Sequence, residues 1–217
     1  MTLLAEDVLL LLIDDATGKM VLDRTRVDRV LAGAVLVELL MTERAAPAPA
    51  GGSIKPGRIV VLDPRPSGDA VLDEALERLS DKPLRPARAV EKLVKGLRAA
   101  LLGRIVQAGF VREEHRSWLG VFPTTTWPAV RPEHEAGIRR SLRDVLLHGH
   151  GPEPRIATLI ALLNAVDAVP KVVPAEDRRA LVRRARTIAE GDPTALAVRE
   201  AVDAVNAAVV VATTAAT

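Results

Sequence analysis

Nearly half of this chain is hydrophobic, yet only four of its 217 residues are aromatic: Phe110, Trp118, Phe122 and Trp127. A core of that size has to be built from Leu, Val, Ile and Ala, a composition suited to helices packed on helices. The length allows one domain or a tightly fused pair. There is no cysteine, which excludes disulfide frameworks and thiolate metal sites and is compatible with a reduced, intracellular setting. Of the 30 basic residues, 24 are Arg; with abundant Ala and Val, this is the usage expected of a GC-rich bacterial genome. The formal net charge is only +2. Any electrostatic function must therefore come from local clustering.

No export signal is visible. The apolar run from Val8 to Ile13 follows Glu6 and Asp7 rather than a basic segment. It is also far shorter than the roughly 20 residues that span a bilayer. The Ala- and Val-rich tail from Ala195 is interrupted by Arg199, Glu200 and Asp203 and reads as a buried amphipathic helix. The expectation is a cytoplasmic protein, with any membrane role peripheral and at the inner face.

Residues 3–13 read as a short Leu-rich helix or buried segment. Asp14 to Lys19 is a turn in which Gly18 is free to adopt positive φ. Apolar residues at Val27, Val30, Leu31, Ala34, Val35 and Leu39 predict a helix over 26–42. Alternating Ala and Pro followed by Gly-Gly make a flexible loop of about 44–57. Ile59 to Leu62 is a short strand, and Asp69 starts a helix through about Leu79. Residues 87–108 read as one long helix ended by Gly109. A hairpin of about 117–130 follows, with Trp118 to Phe122 and Trp127 to Val130 as strands around a Pro123–Thr126 turn. Helices near 133–148, 154–169 and 175–190 and a terminal helix at 194–212 complete the chain. The predicted class is mainly α: a single helical domain with short β segments and a projecting β-hairpin.

Three stretches carry enough pattern to suggest function. From Lys82 to Arg112 there are eight basic residues and one acid, Glu91. On one continuous helix, Arg88, Lys92, Lys95 and Arg98 fall in one arc, with Val90, Leu93, Val94, Leu97 and Leu101 opposite. That stripe is either an anion site for phosphate headgroups or an ordinary solvated face. Trp118, Phe122 and Trp127 lie within ten residues of one another. With Leu119 they make either an exposed apolar patch for a bilayer or a second copy, or a hairpin folded back on the domain. Arg178, Arg179, Arg183, Arg184 and Arg186 form a further basic run, diluted by Glu176, Asp177 and Glu190, that reads as a solvated helix.

Catalytic patterns are missing. There is no Walker loop, no G-x-S-x-G elbow and no H-E-x-x-H. His148 and His150 have no evident third ligand. Asp14-Asp15 and the Asp69, Asp73 and Glu74 group sit where acids cap turns and helices. The chain is expected to be no enzyme and to need no metal or cofactor. Nothing beyond the basic stripe suggests nucleic-acid binding.

Several segments, in order, resemble the Golgi phosphoprotein 3 family. "LLAEDVLLLLIDDATGK" is similar to its Leu-rich opening and acidic turn, and "LAGAVLVELLMTER" to its first core helix. "SGDAVLDEALERL" is the most specific match, and "GRIVQAGFV", an aromatic hairpin and "ALLNAVDAV" follow in the family's order. The resemblance covers essentially the whole chain. It implies a mostly helical peripheral protein that binds phosphatidylinositol 4-phosphate in eukaryotic relatives. The family's headgroup pocket uses a Trp and an Arg near the first core helix and two Arg one turn apart on the long helix. Aligned without gaps from Gly18 to Glu38, the Trp falls on Asp23 and the first Arg on Ala32. The later pair falls on Lys95 and Arg98, so positive charge is kept there.

The expected function is peripheral binding of anionic, phosphoinositide-like headgroups through Lys95, Arg98, Arg88, Lys92 and Arg24. Trp118, Leu119, Phe122 and Trp127 are expected to insert into the membrane or to oligomerise. The alternative is a cytoplasmic scaffold that uses the same hairpin to assemble or to grip a partner.

Overall fold

The structure, a computed structural model, describes residues 2–118, 122–191, 202–205 and 207. Its first helix, α1 (Leu4–Leu11), is buried along its whole length, Glu6 and Asp7 included. Buried charges persist only when paired, and both are. Asp7 accepts from Arg155 Nη2 at 2.6 Å and meets His134 Nε2 at 2.8 Å. Glu6 accepts from the amide of Leu3 at 2.8 Å and from Arg104 Nε at 2.9 Å. Their place in the first turn also sets negative charge against the positive end of the helix dipole.

The second helix, α2 (Arg24–Met41), starts where Asp23 accepts the amide of Arg26 at 3.0 Å. Val27, Val30, Leu31, Ala34, Val35 and Leu39 are all buried, as their spacing predicts. α1 and α2 pack on each other at the centre of one continuous aliphatic core. Next, β1 (Ala45–Pro47) pairs antiparallel with β2 (Ile59–Val61). The flexible loop expected at about 44–57 therefore contains a strand. In a two-stranded ladder each strand is an edge, where a proline without an N–H is tolerated.

Asp69 caps α3 (Ala70–Ser80) by accepting the amides of Val71 and Leu72. It also meets Arg104 at 2.8 Å, so one guanidinium ties the starts of α1 and α3 together. This gives the "SGDAVLDEALERL" segment a physical role: its aspartate caps one helix and anchors another.

The long helix expected over 87–108 is two helices, α4 (Pro86–Leu93) and α5 (Leu97–Gln107). Gly96, at φ 77°, is left-handed between them. An interior glycine in that conformation ends one helix and lets the next start in a new direction.

The hairpin consists of β3 (Glu114–Trp118) and β4 (Phe122–Thr126), with Trp118 in register with Phe122 and Ser117 with Pro123. The expected strand limits were therefore wrong. Trp118 ends one strand and Phe122 begins the next, residues 119–121 lie outside the described residues, and Pro123 belongs to a strand rather than to the turn. Trp127 lies beyond β4. Then come α6 (Glu133–Leu146), α7 (Pro154–Ala165), α8 (Val169–Val172) and α9 (Arg178–Gly191). Of the terminal helix expected at 194–212, the described residues 202–205 and 207 are helical, and Val205 packs against Gly33 of α2. Among the described residues no helix is long and apolar enough to cross a membrane.

Candidate functional site

The break between α4 and α5 creates the site. α5 begins at Gly96 with no side-chain cap. The amide of Leu97 reaches the carbonyl of Val94 and that of Ala100 reaches Gly96. Among the described residues, the amides of Arg98 and Ala99 have no backbone acceptor. Two free N–H groups at the positive end of an eleven-residue helix form a place where negative charge is stabilised.

The two residues that carry these groups line a cleft of about 330 Å³ between the start of α5 and the start of α2. Gly96, Arg98 and Ala99 line it from the start of α5; Met20, Val94, Leu102 and Trp127 supply apolar lining. Its charged lining is Arg24, Asp28 and Arg98. Asp28, on the α2 turn after Arg24, lies between the two arginines. Its Oδ1 is 3.3 Å from Arg98 Nε and its Oδ2 is 3.6 Å from Arg24 Nε. The Asp28 and Arg98 side chains are 15% and 24% exposed, whereas Arg24 is 80% exposed and stands at the rim.

Trp127 reaches the cleft through the turn near the N-terminus. Its amide donates to the carbonyl of Gly18 at 2.7 Å, and the turn holds Gly18 at φ 64°. A strand bridge between Ile13 and Met20 closes the same turn. Met20 and Trp127 thus meet at one wall.

The residues picked out by sequence are dispersed. Arg24 and Arg98 line the cleft. Lys95 does not: it is exposed in the α4–α5 connection, its carbonyl accepts from Arg78 Nη1 at 2.7 Å, and its side chain borders a separate narrow pocket beside Glu74 and Arg78. Arg88 is exposed on α4, and Lys92 pairs with Asp81 at 2.5 Å. The single arc expected of Arg88, Lys92, Lys95 and Arg98 therefore does not exist, because Gly96 interrupts the helix that would have aligned them. Trp127 is half-buried against the core, not a hairpin residue. Trp118 and Phe122 have their backbones in the ladder, and Leu119 lies outside the described residues.

Sequence reasoning missed Asp28 and the cleft's apolar wall. Two signals for them were present. Asp28 stands four residues after Arg24, the spacing of a helical ion pair. Gly96 interrupts an otherwise helical pattern, a mark of a break or a close approach.

Other charged clusters are structural. Glu135 of α6 is 6% exposed. Burial pushes its carboxyl up to about 7, while Arg139 pulls it down and Asp15 pushes it further up. Arg139 also donates to the carbonyl of Val172 at 2.9 Å. Burial likewise raises Glu38, which accepts the amide of Leu4 at 2.6 Å. His148 and His150 are exposed, and among the described residues no three His, Cys, Asp or Glu gather as a metal site.

The fold and the cleft together define a helical protein with a basic, half-apolar recess at a helix start. The family model described as Golgi phosphoprotein 3 matches residues 4–205, and the chain belongs to that family. No curated protein matches it. Of the two positions where the family's first Trp and Arg would fall, Asp23 is the α2 cap paired with Arg26 at 3.5 Å, and Ala32 is fully buried. The aromatic and one guanidinium that line the cleft at this end of α2 belong to Trp127 and Arg24.

Proposed function

We propose that this protein binds anionic lipid headgroups at a membrane surface through the cleft between α2 and α5, and that it performs no chemistry of its own. One observation carries the reading: the uncapped start of α5 opens into a recess that also holds Arg98 and Arg24. The amides of Arg98 and Ala99, the α5 dipole and the guanidiniums of Arg98 and Arg24, both beside Asp28, belong to residues lining one recess, and such groups recognise phosphate. The wall of Met20, Leu102 and Trp127 suits the boundary between headgroup and acyl chain, where a tryptophan is at home. Family membership agrees with lipid binding. Of the four positions where the resemblance to phosphatidylinositol 4-phosphate binders places headgroup residues, Arg98 alone lines the cleft.

Attachment through this cleft is weak and salt-sensitive. Each basic residue near an anionic surface contributes on the order of 1 kcal/mol, screened over about 8 Å in the cell. The test is sedimentation with anionic and neutral vesicles at two salt concentrations, for the wild type and for Arg24→Glu with Arg98→Glu. Binding to anionic vesicles only, lost in the variant, supports the reading. Equal binding to neutral vesicles, or undiminished binding of a folded variant, overturns it.

A second contact is proposed at the hairpin, because the register sets Trp118 opposite Phe122 at the last pair of the ladder. This contact either strengthens attachment to the bilayer or joins two copies. Trp118→Ser with Phe122→Ser is expected to weaken vesicle binding or to dissociate an oligomer in size-exclusion chromatography.

A further inference from the structure

The arginine run of α9 takes no part in the cleft, and the fold sorts its members. Arg184 turns inward: its Nη2 donates to the carbonyl of Gly149 at 3.3 Å. Leu181 and Ala185 are buried, and Ile188 packs against the core. The other four, Arg178, Arg179, Arg183 and Arg186, are exposed, and among the described residues their side chains make no hydrogen bond or ion pair. Arg179, Arg183 and Arg186 stand four and three residues apart and so share one stripe, about 10 Å long at a rise of about 1.5 Å per residue. Arg178 flanks it. A solvated helix face ordinarily sets acids among its bases at these spacings. Here no acid lies between Arg178 and Ala189, and Asp177 just before them is engaged in accepting the amide of Ala180 at 2.8 Å. Without the five arginines of the run, the formal net charge of +2 would be −3.

We infer that the exposed arginine face of α9 is a second contact with the anionic lipid surface, separate from the cleft and indifferent to headgroup type. The inference extends the reading of this protein as a lipid-surface binder. The face is one-sided, because α9 packs on α6, α7 and α8. It offers a strip to a plane and cannot enter a groove that would enclose the helix. No aromatic residue follows Trp127 in the chain, so α9 has nothing to stack on a base. An array of phosphate headgroups asks for neither and takes the guanidinium donors directly. α8 joins this face to the cleft. It packs on α9, and its Lys171 donates to the carbonyl of Val21 at 2.8 Å, next to Met20 of the cleft lining. The connection before α8 reaches the same place, with Asp167 3.8 Å from Arg26. The two basic surfaces are therefore held by one packed unit, and a second contact so held adds to the first by raising its effective concentration. The cleft needs that support. Asp28 stands against its two arginines, which leaves a single positive charge in its lining, whereas α9 presents four arginines with no acid among them.

Phosphatidylcholine vesicles with and without phosphatidylglycerol, at low and high salt, test this. A variant carrying Arg178→Gln, Arg179→Gln, Arg183→Gln and Arg186→Gln loses charge only at exposed positions and is expected to keep its helical content and melting temperature. It is expected to bind the anionic vesicles at least tenfold more weakly than the wild type, since each arginine at such a surface is worth about fivefold. Its binding should also depend less on salt. The same four positions changed to Lys keep the charge and are expected to bind like the wild type. A folded Gln variant that binds like the wild type overturns the proposal, whatever the Arg24→Glu, Arg98→Glu variant does; so does a Lys variant as weak as the Gln variant. If the Gln variant loses binding and the cleft variant keeps it, the α9 contact stands and the cleft reading falls. Should the Gln variant lose helical content, Arg178→Gln with Arg179→Gln and Arg183→Gln with Arg186→Gln carry the comparison as two separate proteins, each expected to lose part of the binding; wild-type binding by both overturns the proposal. Tighter binding of the wild type to mixed-sequence duplex DNA than to anionic vesicles, lost in the Gln variant, overturns the lipid assignment. A wild type that binds no anionic vesicle at low salt overturns both readings.

Discussion

The amide of Trp127 donates a 2.7 Å hydrogen bond to the carbonyl of Gly18, joining the turn after α1 to the segment after the hairpin. The two backbones approach so closely that a Cβ on Gly18 would lie 2.9 Å from the nitrogen of Pro128, in a residue already at φ +64°. Gly18→Ala is therefore expected to destabilise the fold by about 1–3 kcal/mol, from left-handed strain and overpacking. It should also displace Trp127 from the cleft wall, seen as a shift in tryptophan emission. A melting temperature equal to the wild type's would show that this contact is not tight.

Glycines elsewhere set the scale for that effect. At Gly33 a Cβ would run into Val205, so Gly33→Ala is expected to cost about 1–3 kcal/mol by overpacking. At Gly96 nothing lies within 4 Å, and only φ +77° opposes a side chain. Gly96→Ala is expected to cost about 1 kcal/mol. Chemical denaturation of both variants checks the order; a larger loss at Gly96 would contradict it.

Arg104 links Glu6 of α1 to Asp69, the cap of α3, at 2.9 and 2.8 Å. Glu6 is 5% exposed. Arg104→Met would leave a buried carboxylate without its cation. The expected loss is about 2–4 kcal/mol, at the lower side of the range for buried pairs because Arg104 itself is 30% exposed. Arg104→Lys should recover little, since one ammonium does not reproduce a fork reaching two acids. A thermal melt of the two variants is the measurement.

Glu135 predicts a pH dependence. Its carboxyl sits at about 7 in the folded protein against an ordinary 4.5. The folded state therefore holds the proton more tightly than the unfolded state. This group favours folding below about pH 4.5, and that contribution is lost as pH rises to about 7, a fall of at most about 3 kcal/mol. Glu135→Gln is expected to flatten stability between those limits. If the variant and the wild type change in parallel, another group is responsible.

Arg88 and Lys92 lie on α4, away from the cleft, with Lys92 held by Asp81. Charge reversal at Arg88 and Lys92 is expected to weaken vesicle binding less than reversal at Arg24 and Arg98. Long-range attraction is screened, whereas contact in the cleft is not. Equal losses would make the surface as a whole, rather than the cleft, the binding element.

The sequence by itself determined the helical class, because an aliphatic chain with four aromatics and apolar residues at helical spacing has few other ways to bury itself. It determined α2, the cap at Asp69 and the turn at Gly18, since each is written in neighbouring residues. It also carried the resemblance through which the family could be seen. What tertiary structure decided was which charges meet. One left-handed residue, Gly96, split the helix that would have lined up Arg88, Lys92, Lys95 and Arg98. A hydrogen bond between residues 109 positions apart, Gly18 and Trp127, moved an aromatic from the hairpin to the cleft. Asp28 acquired its place between two arginines only when α5 came to rest beside α2. Local periodicity records which face of a helix is buried, but not which other element covers it or which distant charge lies across the gap.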